Sequence, residues 1–150
     1  MRIFRNIDEL DTAVGTDLGT SPWLDITQEQ IDRFADATGD RQWIHIDTDR
    51  AESGPFGRTI AHGFLTLSLI PSLSEQIWRV DGASLAVNYG TDTVRFLQPV
   101  PVDSRIRVHA TIDAVKSNHM GKVVSVRYTV ELEGTGKPAC VATSLTVFAR

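Results

Sequence analysis

One acid and one histidine have the types and the spacing that acid–base chemistry needs. Asp40 follows Gly39, and His45 lies five residues after it. A carboxylate and an imidazole that hold one water molecule form a general acid–base pair. Five residues place two side chains on different faces of a helix or a strand, so this pair meets only where the chain is irregular. The alternative is that Asp40 caps a turn and His45 is a half-buried structural histidine.

A second feature lies at the start of a strongly apolar segment, in Ile60-Ala61-His62-Gly63. The first N–H groups of a helix have no acceptor within that helix. Because Gly63 has no side chain, a substrate oxygen can approach its N–H closely, which makes it a candidate oxyanion donor. The alternative is that Gly63 only allows the helix to pack closely against its neighbours.

The chain around these residues alternates between helical and strand patterns. Thr27 and Gln30 form a capping-box pattern before an amphipathic helix that stops at Gly39. Residues 40–61 show no sustained period and are predicted to be mostly loop, with one turn of helix after Asp47. We expect a buried central helix over residues 62–79, kinked at Pro71.

From residue 84 onward the hydrophobic period changes to two, which predicts an antiparallel meander. A twisted sheet that wraps one apolar helix buries both the helix and the apolar face of the sheet. This arrangement gives an α+β layout. The remaining predicted elements are a short helix at residues 7–13, an extended segment at 20–26, and strands at 84–97 (with a break near Gly90), 104–115, 122–133 and 138–149.

Composition limits the classes of protein further. The 150 residues fit one domain, 1–150, with 41% hydrophobic and 23% charged residues, as in globular proteins. A net charge of −4 argues against nucleic-acid or membrane partners. A single cysteine, Cys140, excludes an internal disulfide, and without a secretory h-region we expect a cytoplasmic protein. No third ligand accompanies His45 and Asp47 at a suitable spacing, so no metal site is predicted.

The two features occur in an order that resembles a known motif. Residues 39–47 (GDRQWIHID) and 56–63 (FGRTIAHG) resemble the hydratase-2 motif of the MaoC-like family, which includes (R)-specific enoyl-CoA hydratases. The resemblance covers residues 20–149 and implies the hot-dog fold, a curved antiparallel sheet around one long helix. Gln42 and Trp43 stand where the family commonly has Asn-Pro, so packing of the indole must replace the rigidity of proline.

The resemblance also implies site roles. Asp40 and His45 would activate water for addition to a trans-2-enoyl thioester, with Asp40 taking the first proton and His45 helping to deliver one to C2. The Gly63 N–H would hold the enolate oxygen, Gln42 would orient the water or the dyad, and His62 would contact substrate. No cofactor is implied, because the CoA thioester is itself the substrate.

Two other functions stay open from the sequence: an acyl-CoA thioesterase on the same fold, and a non-catalytic acyl-binding dehydratase subunit. The family pairs such units, so the resemblance implies a homodimer. An anionic CoA also needs a local basic patch on this acidic protein. Its candidates are Arg58, Arg95, Arg105 and Arg107.

Overall fold

The alternating apolar residues of the C-terminal half form one large antiparallel sheet in the computed structural model, which describes residues 1–150. A short 3-10 helix spans Ile7–Thr12, where the sequence predicts a short helix. The strands are β1 (Arg2–Phe4), β2 (Asp17–Thr20), β3 (Leu24–Asp25), β4 (Trp78–Val80), β5 (Leu85–Phe96), β6 (Arg105–Ser117), β7 (Gly121–Leu132) and β8 (Cys140–Ala149). The helices are α1 (Gln28–Thr38), α2 (Trp43–Ile46), α3 (Thr48–Glu52), α4 (Gly63–Ser68) and α5 (Ile70–Ser74).

The large sheet has the order β2-β6-β7-β8-β5, with β3 also paired to β6. Strand β7 lies at its centre, and every second residue from Val124 to Leu132 is buried, as the alternation predicts. Strand β5 lies at the edge, and all but one of its residues are exposed. The predicted break near Gly90 is a register shift between Asn88 and Gly90.

Helices α4 and α5 pack in the core with the inner face of this sheet. Leu65, Ile70 and Leu73 belong to the same buried cluster as Val108 of β6 and Val130 of β7. The sheet therefore wraps a helical segment, and the predicted α+β hot-dog layout is confirmed. None of the helices combines the length and the apolar composition needed to cross a bilayer.

The central helix is shorter than predicted and is divided in two. The prediction of one kinked helix over residues 62–79 is wrong, because α4 ends at Ser68 and α5 runs only over Ile70–Ser74. Pro71 has no N–H to bond the carbonyl of Leu67, so the helix stops and restarts with proline in its first turn. Trp78, at the end of the predicted helix, instead begins β4, which pairs in parallel with β1.

The segment between Gly39 and Gly63 is also more ordered than predicted. It contains α3, which is the turn of helix expected after Asp47, and also α2, where only loop was expected. The Asp47 side chain accepts the Arg50 N–H at 3.0 Å and so caps α3. This order holds the residues that precede the central helices.

Candidate active site

Helix α1 and the glycine that ends it determine where Asp40 lies. The Thr27 hydroxyl accepts the Gln30 N–H at 3.2 Å, which is the N-cap that the sequence predicts. At the other end Gly39 has a φ of 79° and its N–H donates to the Ala35 carbonyl. Only glycine adopts this left-handed conformation readily, so the chain leaves the helix at Gly39 and carries Asp40 toward α2.

His45 lies on α2 with its ring buried and its tautomer defined by one hydrogen bond. Its Nδ1 lies 2.7 Å from the carbonyl oxygen of Ile60. Because a carbonyl can only accept, Nδ1 carries the hydrogen and Nε2 keeps its lone pair. Burial lowers the pKa of His45 below its usual value, although the hydrogen bond to Ile60 opposes that shift. The ring is therefore held neutral, with a free basic nitrogen.

His62 lies directly behind His45 and ties it to the backbone of Asp40. The two imidazole rings are stacked, with centroids 3.8 Å apart and planes 21° from parallel. His62 Nε2 lies 2.9 Å from the Asp40 carbonyl oxygen and so donates its hydrogen to it. Its Nδ1 is buried without a partner. In this position His62 supports the other two residues and does not line the adjacent cavity.

The structure brings Asp40 and His45 together. Side-chain oxygen or nitrogen atoms of Asp40, His45 and His62 all lie within 4.8 Å of one another. Asp40 is exposed, and its Oδ1 accepts the backbone N–H of Gln42 at 3.5 Å. The Gln42 side chain is also exposed and forms no hydrogen bond within the chain. A carboxylate at the solvent edge beside a buried neutral imidazole can hold one water between them.

The same three residues are poorly arranged to share a metal ion. The lone pair of an imidazole nitrogen lies in the ring plane. Two stacked rings 3.8 Å apart therefore direct their lone pairs along separate planes. A common zinc ion would need both nitrogens at about 2.0–2.1 Å along converging directions. The stacking thus suits acid–base chemistry by His45 better than metal binding.

Gly63 lies at the mouth of a cavity of about 370 Å³ that His45 also lines. Gly63 is the first residue of α4, and its N–H donates no hydrogen bond within the chain. A Cβ at this position would lie 3.1 Å from ring atoms of Phe96. Both interpretations of Gly63 are thus compatible with its surroundings, because the N–H is free and the close approach of Phe96 requires glycine. The other residues that line the cavity are Ile60, Ala61, Thr66, Leu97, Gln98, Pro99, Val100 and Ala139.

Two polar residues that the sequence analysis missed hold the site in place. Gln28 of α1 donates from Nε2 to the His45 carbonyl at 2.7 Å. Its Oε1 accepts the hydroxyl of buried Thr59 at 2.5 Å. Gln28 thus links α1, α2 and the strand-like segment before α4. These residues are 17 and 31 positions from Gln28, so no local spacing pattern indicates either contact.

The indole of Trp43 orders the loop that lacks the family's proline. The guanidinium of Arg50 lies 4.2 Å from the indole centroid. A Cβ on Gly54 would lie 3.0 Å from the same ring, so glycine allows the loop to close over it. Cation–π contact and close packing therefore replace the rigid φ of proline.

The four candidate arginines of the basic patch differ in how much charge they offer. Arg105 pairs with Glu133 and Arg107 with Glu131, so carboxylates already neutralise both. Arg58 and Arg95 contact only backbone carbonyls and form no ion pair. Of the four, Arg58 and Arg95 keep their charge available for an anion.

Comparisons with known proteins agree with this geometry. Residues 9–134 match the model of the MaoC like domain family. The chain is 52% identical over 146 residues to the 3-hydroxyacyl-thioester dehydratase Z of Mycobacterium tuberculosis, covering 97% of each chain. It is 37% identical to nodulation protein N of Rhizobium leguminosarum bv. viciae, covering 95% of this chain and 90% of the relative.

A solved structure gives the same fold at low identity. The unliganded R-hydratase PhaJ1 of Pseudomonas aeruginosa superposes with a TM-score of 0.78, over 98% of this chain and 88% of that one. The two sequences are 22% identical, so the likeness concerns the fold.

Proposed function

The chain belongs to the MaoC-like dehydratase family of enzymes, and from that premise we propose that it hydrates trans-2-enoyl thioesters reversibly. The products are (R)-3-hydroxyacyl thioesters, with CoA as the carrier. One observation supports this reaction above the alternatives. His45, with its free Nε2, and Gly63, with its unpaired N–H, line one cavity, and the Asp40 carboxylate lies beside His45.

The proposed addition begins with a water held between Asp40 and His45. Water oxygen bonds to C3 while the C2=C3 π electrons move toward the thioester carbonyl, where the Gly63 N–H stabilises the enolate oxygen. At comparable sites one such donor contributes about 2.7–4 kcal/mol to the transition state. The proton that leaves the water then reaches C2, so atoms and charges balance without a metal or a redox cofactor.

We assign the proton transfers to His45, with Asp40 orienting the water and stabilising the imidazolium. The sequence-based hypothesis gave the first proton to Asp40. The neutral state of His45 supports the exchange of roles, since a neutral Nε2 has no proton to deliver until it takes one from the water. His62 and Gln28 hold the ring in place for both steps.

The proposed reaction is tested with crotonyl-CoA and the purified protein. Loss of enoyl absorbance without release of free thiol is the expected result. Release of thiol, from this substrate or from saturated butyryl-CoA, would instead identify a thioesterase. If neither the enoyl absorbance nor the amount of free thiol changed, the protein would be a non-catalytic acyl-binding subunit.

We further propose that two copies associate through β5 to form a homodimer. This strand is twelve residues long and its outer hydrogen-bonding edge has no neighbour. Long exposed edge strands are rare in monomers because they pair with other chains. Leu85, Val87 and Tyr89 add apolar surface to this edge, and each is 44–65% exposed. Light scattering after gel filtration should give twice the chain mass, and Val87→Lys should lower it toward the monomer.

A further inference from the structure

A second cavity, of about 510 Å³, lies at the other end of the central helices and is not used by the mechanism above. Its apolar walls include Ile70, Pro71 and Phe148. Eight of its lining residues have polar atoms in their side chains. The residues with side-chain oxygens or nitrogens are Ser74, Glu75, Trp78, Arg79, Asn88, Tyr128, Ser144 and Thr146.

Three buried side chains in this cavity form a hydrogen-bonded chain in which one O–H donor has no acceptor. Trp78 donates from Nε1 to the Ser74 hydroxyl at 2.8 Å, and Ser74 Oγ lies 2.8 Å from the Tyr128 hydroxyl. Ser74 and Tyr128 each carry one O–H, and their single mutual bond uses only one of the two. Neither hydroxyl has a further acceptor in the chain, since the indole N–H of Trp78 can only donate. One O–H donor therefore faces the cavity unpaired, whichever residue carries it.

Both cavities lie between the central helices and strand β5. Gly63 and Thr66 of α4 line the first cavity, and Ile70 and Ser74 of α5 line the second. Within each helix, a step of three or four residues keeps the two residues on one face. On β5, Phe96 lines the first cavity, whereas Ala86 and Asn88 line the second. At a rise of 1.5 Å per residue, Gly63 and Ser74 are ~16 Å apart.

We propose that this distal cavity binds an oxygen atom near the far end of the acyl chain, so that the preferred substrates are enoyl thioesters with an oxygenated tail. The inference rests on the proposed function. An acyl chain with its thioester oxygen at Gly63 would run along the central helices and end beside Ser74 and Tyr128. A hydroxyl or carbonyl oxygen there accepts the spare O–H. A tail that ends in methyl leaves this buried donor unpaired, and such a mismatch is the basis of strong discrimination.

The test compares two substrates of equal length, trans-2-dodecenoyl-CoA and its terminal hydroxy analogue. For the wild-type protein, kcat/KM should be about tenfold higher for the hydroxy substrate, as expected for one hydrogen bond. Either oxygen can carry the spare O–H, so the informative variant is the double substitution Ser74→Ala with Tyr128→Phe. It removes both O–H groups, and the tenfold preference should disappear.

Ser72→Ala is the matched control, since Ser72 lies on the same helix but is exposed outside the cavity. It should keep the tenfold ratio. Equal kcat/KM values for the two substrates in the wild type, or a preference that survives the double variant, would overturn the inference. Hydration of crotonyl-CoA separates these outcomes from failure of the proposed function. Loss of that reaction in the wild type would refute both.

Discussion

The two cavities beside α4 and α5 differ in the polar groups that they offer. At the Gly63 end, His45 Nε2 and the Gly63 N–H are both unpaired, and both residues line the same cavity. At the Ser74 end, Trp78, Ser74 and Tyr128 form a hydrogen-bonded chain that leaves one O–H without an acceptor. Free groups of opposite character can move a proton and hold a developing charge, whereas one spare donor can only recognise an acceptor. We therefore assign catalysis to the Gly63 end and substrate selectivity to the Ser74 end.

The largest expected effect comes from changing His45, which transfers the protons, or Asp40, which orients the water and stabilises the imidazolium. Asp40→Asn and His45→Gln should each lower kcat for crotonyl-CoA hydration by about 10²–10⁴-fold, the usual contribution of general acid–base catalysis. Circular dichroism should show an unchanged fold. His119→Gln, in an exposed turn, is the control and should keep full activity. Near-normal turnover by a folded Asp40→Asn or His45→Gln variant would remove that residue from the mechanism.

A smaller loss is expected when the oxyanion donor is displaced. In Gly63→Ala the new Cβ would lie 3.1 Å from the Phe96 ring, so the ring or the start of α4 must shift by a few tenths of an ångström. A displacement of about 1 Å costs roughly a hundredfold in rate, and we expect a loss in kcat below that value. Gly136→Ala meets no neighbouring atom and should have no effect. If Gly63→Ala retained full activity, the N–H would have no role in catalysis.

The pH dependence of hydration distinguishes the two assignments of the first proton. Burial lowers the pKa of His45 from its usual value, so the neutral ring persists to a lower pH than in a free histidine. If His45 is the base, kcat/KM is constant above its pKa and falls about tenfold per pH unit below it. Activity that instead falls as the pH rises through this region would mean that protonated His45 is required, with Asp40 as the base.

The smallest expected effect is on stability, at the Ser74 end. Ser74→Ala leaves the Trp78 N–H without an acceptor in a buried position. Leaving one such group unpaired costs about 1–3 kcal/mol of the free energy of unfolding. Chemical denaturation should detect this loss, and Ser72→Ala should show less than half of it. Equal stability of the two variants would mean that water replaces the Ser74 hydroxyl.

The sequence was sufficient for features that short patterns encode. Alternation predicted strands β6 and β7, and the Thr27 cap and Gly39 stop defined α1. The motif resemblance brought Asp40, His45 and Gly63 into one expected site, and the structure brings Asp40 beside His45 and places Gly63 at the cavity that His45 lines.

Long-range polar contacts lay beyond such patterns. Gln28 reaches Thr59 across 31 residues, and Ser74 reaches Tyr128 across 54, so only the folded chain reveals them. Pro71 was expected to bend one helix. Instead, α4 ends before Pro71, and α5 begins with Pro71 in its first turn. An N–H in the first turn has no partner within the helix, so proline loses no hydrogen bond there.

The addition of water to C3 of an enoyl thioester is tested most directly by the reaction of crotonyl-CoA in isotopically labelled water, with chiral analysis of the product. We expect (R)-3-hydroxybutyryl-CoA with one labelled oxygen on C3 and an intact thioester. Label found in a free carboxylate, or a product of (S) configuration, would contradict it.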